Sequence, residues 1–386
     1  MSSYLFPIEV ALILFPFLAL LLTIPFAIYS YRKFGSITFM RVFILFTFIF
    51  YLMAAFFLTL LPLPETQDVI HIKAPVPQLV PFTFVQEFLS QTVLEFSKPA
   101  TYLPALAQNV VIQPLFNVFL LFPLGVYLRY YFRTSFIKTL IIAFLISLFF
   151  EVTQLTGIYG IYPHAYRLFD VDDLMLNTLG GIIGFLMAPL FTFFLPSREA
   201  MDSLSSQKSE RVSYIRRFLA YLIDWFFIGI IGFLLTSIHL IPKRAVSNTV
   251  EVSYEHILYD IAIIFLYFVF LPTITNGFTP GKWIVRIRIA SVAGTRVSFW
   301  QLLGRYTLFY YLLGGLILVP LNQQVQEIAT PQIRLILFFI SFSALFLFAL
   351  HLIINFFRKD NRLFYEKMSH TVSVSTFKSK MPEIDH

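Results

Sequence analysis

At 386 residues, with 58% hydrophobic and 18% aromatic content, the chain exceeds the roughly half apolar share of soluble domains and holds several long apolar runs. Its formal net charge of +7 does not mark a nucleic-acid partner, because Lys and Arg fall in short clusters between those runs and not on one polar face. The absence of Cys excludes a disulfide framework, a thiolate metal site and a Cys nucleophile.

The pattern is that of an all-α polytopic integral membrane protein of about nine spans, since runs that can cross about 30 Å of hydrocarbon occur near 7–30, 42–62, 114–132, 136–156, 173–195, 217–241, 256–273, 303–320 and 335–357. The N-terminus has no basic region and no small-residue cleavage site, so the first run is expected to remain as a span. Basic clusters fall in alternate connections: Arg32, Lys33 and Arg41; Arg129, Arg133 and Lys138; Arg198 to Arg217; Lys282 to Arg305; Arg358 to Lys367. Placing these inside puts the N-terminus outside and the C-terminus in the cytoplasm.

The connection from 63 to 113 is then external. Within it, VQEFLSQTVLEF over 85–96 sets Val85, Phe88, Leu89, Val93 and Phe96 on one helical stripe. Such a helix either lies on the outer leaflet or packs as a lid over the bundle mouth, and the surface reading is the simpler.

Costly residues concentrate between Glu151 and Gly184. Glu151 and Gln154 are three apart and share a face of span four, while Asp173 and Asn177 are four apart and share a face of span five. The connecting loop carries Arg167, so two acids, a cation and two amides can converge. Asp170 or Asp172 suits the N-cap of span five. Two other readings stay open: a buried Arg–acid bridge holding the spans together, and a metal site at His164, Asp170, Asp172 and Asp173, which lacks any HExxH or EF-hand spacing. Gly180 and Gly184 form a G-x-x-x-G that would let span five approach span four closely.

The polar stretch SREAMDSLSSQKSERVSYIRR reads as a cytoplasmic linker between two membrane modules. In span six, Arg217 and Asp224 lie two turns apart on one face, which puts Asp224 about 10 Å from the edge, where an acid needs a partner or a proton. GFTPGKW is no phosphate loop: its glycines are too close, and Trp283 stands where a hydroxyl would hold magnesium. The alternation from Ile284 to Ala290, with a turn at 293–295 before RVSF, predicts a short amphipathic β-hairpin on the cytoplasmic side, with Arg286 and Arg288 toward anionic headgroups.

The first half resembles the VanZ-like family. Its E-x-x-Q helix followed by R-x-x-D-x-x-D-x-x-x-N-x-x-G stands here as Glu151, Gln154, Arg167, Asp170, Asp173, Asn177 and Gly180; QLVPF at 78–82 and NVFLLFPLG at 117–125 match its upstream elements. The resemblance implies a bacterial cell-envelope protein from a family named for tolerance to the glycopeptide teicoplanin, and it supplies no reaction. Residues 211–376 resemble the RDD family through Arg217, Ala220, Ile223 and Asp224, the T-P-G-K at 279–282, and Gly294 followed by Arg305. Where that family has an Asp near its end, Glu366 stands here. RDD domains are membrane modules sometimes linked to transport.

Together these give a VanZ-like domain at 1–196, a linker at 197–210, an RDD-like domain at 211–376 and a cytoplasmic tail at 377–386, in a bacterial plasma membrane. The expected site faces outward and engages a membrane-lipid headgroup or a lipid-linked cell-wall intermediate. Glu151, Arg167 and Asp173 would carry any chemistry, with Arg167 holding an anion, and Gln154, Asp170, Asn177 and Asn117 would bind substrate, which leaves Asp172 as the expected cap of span five. Arg217 and Asp224 form the polar pair of the second module. No cofactor or metal is called for. An enzyme with Glu151 as general base, a proton-coupled transporter using Asp224 and the outward acids, and a non-catalytic scaffold all remain open.

Overall fold

The computed structural model describes residues 2–71, 73–238, 261–320, 329–358 and 362–377, together with 259, 325 and 360. Seven helices are long and apolar enough to cross a membrane: α1 (Ser2–Phe34), α2 (Phe39–Leu60), α6 (Asn109–Tyr130), α7 (Phe136–Leu155), α9 (Val171–Thr192), α11 (Tyr214–Ser237) and α15 (Pro331–Phe356). Short helices α3 (Thr66–His71), α4 (Thr83–Gln91) and α5 (Tyr102–Leu106) fill the connection before α6, and the single turn α8 (Gly157–Gly160) follows α7. Between α9 and α11 lies α10 (Arg198–Ser209), and α13 (Pro280–Ile284) precedes a strand. The two remaining expected spans are the shorter apolar helix α12 (Ile261–Ile274) and α14 (299–318), which runs through a π-helical stretch at Thr307–Gly314. The all-α polytopic architecture stands, with seven full-length spans among the described residues.

Two compact units divide the chain. The first comprises residues up to Thr23 and Thr38–Leu204, and the second Ile24–Ile37 with everything from Ser205.

In the first unit α6 and α9 form the most extensive helix pair. A Cβ at Gly180 would overlap the Val118 carbonyl, one at Gly184 the Phe122 carbonyl, and one at Gly125 the Gly181 carbonyl. Residue numbers rise together along this seam, so the helices run parallel with backbones in direct contact. The expected partner of the G-x-x-x-G, span four, is thus corrected to span three. Gly181 alone faces α7, at Ala143. Leu121, Leu124, Ala143 and Phe150 fill the space between these helices and Ala55 of α2.

Two further expectations change. The amphipathic helix begins at Thr83 and ends at Gln91, so Val93 and Phe96 lie beyond it. The expected linker is helical over Arg198–Ser209, with Met201 buried in the first unit and Ser205 and Ser209 buried in the second.

The second unit packs α11 against α13 and contains the two-stranded antiparallel sheet. Strand β1 (Ile287–Ser291) pairs with β2 (Thr371–Ser375) in the register Ile289↔Ser373. The expected amphipathic pair is present, but its second strand comes from the C-terminal segment; the stretch after the turn enters α14 instead, through a capping box of Ser298 and Gln301. Ile287 and Ile289 point into the core beside α11, α12 and α14, while Arg286 and Arg288 are only half-buried. A short helix, α16 (Phe364–Met368), leads into β2.

Candidate functional site

The first unit gathers its polar groups around two adjoining cavities. One, of about 230 Å³, is lined by Thr59 of α2, Gln113 and Asn117 of α6, Glu151 and Gln154 of α7, Arg167 of the loop, and Asp173 and Asn177 of α9. The other, of about 290 Å³, is lined by Gln78, Thr83, Phe84, Glu87, Gln91, Gln113, Asn117, Asp170, Asp172 and Asp173 among others. Asn117 donates to Asp173, and this pair together with Gln113 borders both. All seven residues expected at the site therefore line one cavity or both.

Their detailed roles differ from expectation at Arg167. Its Nη1 donates to the Thr59 carbonyl and its Nη2 to the Leu61 carbonyl, each at 2.8 Å. Helix α2 ends at Leu60, so these are carbonyls that the helix itself leaves without partners. The positive end of the side chain is thus engaged in closing a helix terminus. No ion pair joins it to Glu151 or Asp173 among the described residues, which removes the buried Arg–acid bridge. Gln154 donates to the same Thr59 carbonyl at 2.8 Å.

Glu151 is buried, and its Oε2 accepts from the Asp170 amide at 3.0 Å. Asp170 caps α9 by accepting from the Asp172 amide at 2.8 Å. Burial pushes the Asp170 carboxyl above its ordinary range, and the charges of Asp172 and Glu87 add to this against the bond from the Asp172 amide. Asn177 is buried, donates to Ser147 at 3.1 Å, and leaves its Oδ1 without a partner among the described residues.

Asp172, the expected cap, has a different task. Its two oxygens accept from the amides of Phe82 and Phe84, at 2.6 and 3.0 Å. Those amides open α4, so the acid anchors the helix that walls the second cavity. The QLVPF segment is drawn in too: Gln78 bridges to Asp170 through Gln78 N to Phe169 O and Val171 N to Gln78 O. Phe84, Glu87 and Gln91 of α4 line the cavity, while Val85 and Leu89 of its apolar stripe stay exposed, so the helix walls the cavity and still offers an apolar face to the leaflet. Replacing Asp172 by Ala should cost about 2 kcal/mol, because two part-buried, charge-assisted bonds to main-chain amides disappear. Thermal melting in detergent with hydrogen exchange over 82–91 checks it; unchanged exchange in that segment refutes the anchoring role.

The walls carry acids and carboxamides but no Ser, His or Lys, so any acid–base chemistry there rests on carboxylates and water. Gln113 and the α2 carbonyls were not anticipated. A main-chain acceptor has no residue signature, but Gln113 stands four residues from both Asn109 and Asn117 on one helical face, and that spacing was the signal that could have found it.

In the second unit Arg217 and Asp224 line one cavity but are not paired with each other. Asp224 is fully buried and accepts from Tyr267 Oη at 2.9 Å, Thr279 Oγ1 at 2.6 Å and the Gly281 amide at 2.7 Å, with Lys282 Nζ at 3.4 Å. The T-P-G-K segment is thus the receptor for this acid. Gly281 is required there, since a Cβ would overlap the Ala220 carbonyl and the Asp224 carboxylate. Arg217 instead meets Glu366 at 2.7 Å, and Arg305 meets the other oxygen of the same carboxylate at 2.8 Å. Ser373 Oγ and the Leu363 amide complete the set, at 3.0 and 2.9 Å. Glu366 therefore fills the role of the acid expected near the end of the module. Neighbouring Arg216, unforeseen, clamps the strand entry by donating to the Val285 and Arg286 carbonyls, both at 2.8 Å.

A family model described as VanZ/LLP1 matches residues 48–194, and one described as the RDD family matches residues 211–370. Searches of curated proteins and of solved structures return no match.

Proposed function

From a multi-pass membrane protein that joins a VanZ-like domain to an RDD-family domain, we propose that the VanZ-like half binds a hydroxyl-rich headgroup, such as the sugar of a lipid-linked cell-wall intermediate, and thereby alters the bacterial envelope and its tolerance of glycopeptides of the teicoplanin type. The observation that carries this reading is the composition of the walls: Glu151, Asp170 and Asp173 with Gln113, Asn117, Gln154 and Asn177, against a single guanidinium already engaged on α2 carbonyls. Carboxylates and carboxamides accept from and donate to hydroxyls, whereas a phosphate would meet an excess of negative charge there. The anion-holding role first expected of Arg167 is therefore dropped, and a polyol takes the place of the anion. The unpartnered Asn177 Oδ1 supports a donor-rich ligand.

The reading also has the cavity facing outward, with the N-terminus outside. Purified full chain in nanodiscs should bind a lipid-linked saccharide, and Glu151→Gln or Asp173→Asn should weaken it about 10- to 100-fold, the loss of one charge-assisted bond of about 1.5–3 kcal/mol. The same variants should lower teicoplanin tolerance at unchanged membrane levels. In parallel, Glu87→Cys in this Cys-free chain should react with a membrane-impermeant maleimide in intact cells. Unaltered binding in both variants would sink the ligand assignment, and no labelling would sink the outward placement.

A further inference from the structure

A cavity of about 570 Å³ in the second unit belongs to no role described so far. Its volume lies within the range of small-molecule sites. Most of its wall is apolar and aromatic, with Phe218, Tyr221, Phe268, Phe309, Tyr310 and Leu352 contributing. Set into that wall are Arg217, Lys282 and Arg305, with Asp224 as the one lining carboxylate. Glu366 stands behind them against the two arginines.

Lys282 and Arg305 keep donor capacity among the described residues. Arg305 is buried and its Nε has no hydrogen-bond partner among the described residues. Lys282 Nζ lies 3.2 Å from the Thr279 hydroxyl and 3.4 Å from the Asp224 carboxylate, both long for an ammonium. An ammonium in a low-dielectric wall gains strongly from a closer acceptor. A cationic ligand is disfavoured by more than charge, because the aromatic faces already hold the protein's own cations. Lys282 lies 5.6 Å from the Phe268 ring centroid and 5.7 Å from that of Tyr306, and Arg305 lies 5.1 Å from that of Tyr365.

We propose that this cavity binds an anionic amphiphile, its head accepting from Lys282 and Arg305 and its acyl chain lying along the aromatic wall. A fatty-acid carboxylate and a single-chain phospholipid phosphate share this chemistry. The RDD-family half would then be a lipid-responsive module, independent of the headgroup site assigned to the VanZ-like half.

Trp225 supplies the readout, since its ring lies 6.4 Å from Phe268 and 6.1 Å from Tyr310. With Trp283→Phe and Trp300→Phe, it becomes the sole tryptophan of the full chain. In detergent, brominated stearate or a brominated lysophosphatidate should quench it saturably, and comparison of the two tells which head is preferred. Brominated methyl stearate and a brominated long-chain amine should bind at least about tenfold more weakly. Lys282→Met should weaken the acids about tenfold and leave the ester unchanged. Leu352→Phe narrows the cavity without touching its charged groups and should also weaken the acids, which guards against a Lys282 variant that merely misfolds. Equal quenching by acid, ester and amine, or quenching by the acids unaffected by Leu352→Phe at unchanged melting temperature, overturns the proposal.

Discussion

Glu366→Gln is expected to destabilise the second unit by about 3–5 kcal/mol, because it removes the shared partner of two buried guanidiniums and leaves both charges behind. Arg217 and Arg305 approach the two oxygens of Glu366 at 2.7 and 2.8 Å, and Glu366 itself is fully buried. The effect should be localised. Arg305 also donates to Thr371 at 2.8 Å, and Ser373 donates to Glu366, so hydrogen exchange should rise in β2 and in its partner β1. Replacing the three charged groups together by Met, Met and Leu should recover most of the loss, since a buried ionic cluster is commonly no more stable than a well-packed apolar one. Burial would raise the Glu366 carboxyl, but the guanidiniums of Arg305 and Arg217 outweigh it and hold the carboxyl below its ordinary range. A depressed folded value means this contribution is complete above the ordinary Glu range and is lost as the pH falls through the folded value. The melting temperature should therefore fall on acidification in the parent chain and fall less in Glu366→Gln. Equal acid sensitivity in both would show that other carboxylates set the acid limit.

Membrane residence and the two-module plan could be read from sequence because both depend on long-range composition. Runs of apolar residues and clusters of Lys and Arg survive errors of several residues in their boundaries. The first polar site could be read for a related reason: Glu151 with Gln154, and Asp173 with Asn177, lie at helical spacings, and helical geometry alone puts each pair on one face. Which way a long cation turns is not fixed by spacing. Arg167 passes over the acids to the end of α2 because the Thr59 and Leu61 carbonyls, left over where the helix stops, offer it two acceptors, and main-chain oxygens leave no mark in the sequence. The same blindness explains Arg216 and Arg217. Adjacent residues on a helix diverge by about 100°, so one goes to the carbonyls of the β1 entry and the other to Glu366, and nothing local says which. The β pairing was misplaced since TVSVS is short and half polar, and a turn at 293–295 offered a nearer partner for β1 than a strand at the far end of the module.

Asp224→Asn is the second large effect expected, and the physical detail says where the energy goes. An amide oxygen at the Oδ1 position can still accept from Tyr267 and the Gly281 amide. The amino group that replaces Oδ2 faces Thr279 and Lys282. The threonine hydroxyl can rotate and accept, but an ammonium has only donors, so Lys282 loses its counter-charge inside the wall. The cost, about 3–5 kcal/mol, therefore falls mainly on one pair. Lys282→Met added to Asp224→Asn should restore much of it, giving a coupling of about 2 kcal/mol in a double-mutant cycle of melting free energies. A transport role for Asp224 makes a different demand: the acid must release or exchange its proton or ion during turnover, and flux would be lost in the single and the double variant alike even where the double melts like the parent. An acid held by a tyrosine, a threonine, a backbone amide and a lysine is built to stay in place. A gradient-driven flux assay on the refolded double variant separates the two, because a latch needs only the fold whereas a carrier needs the carboxylate itself.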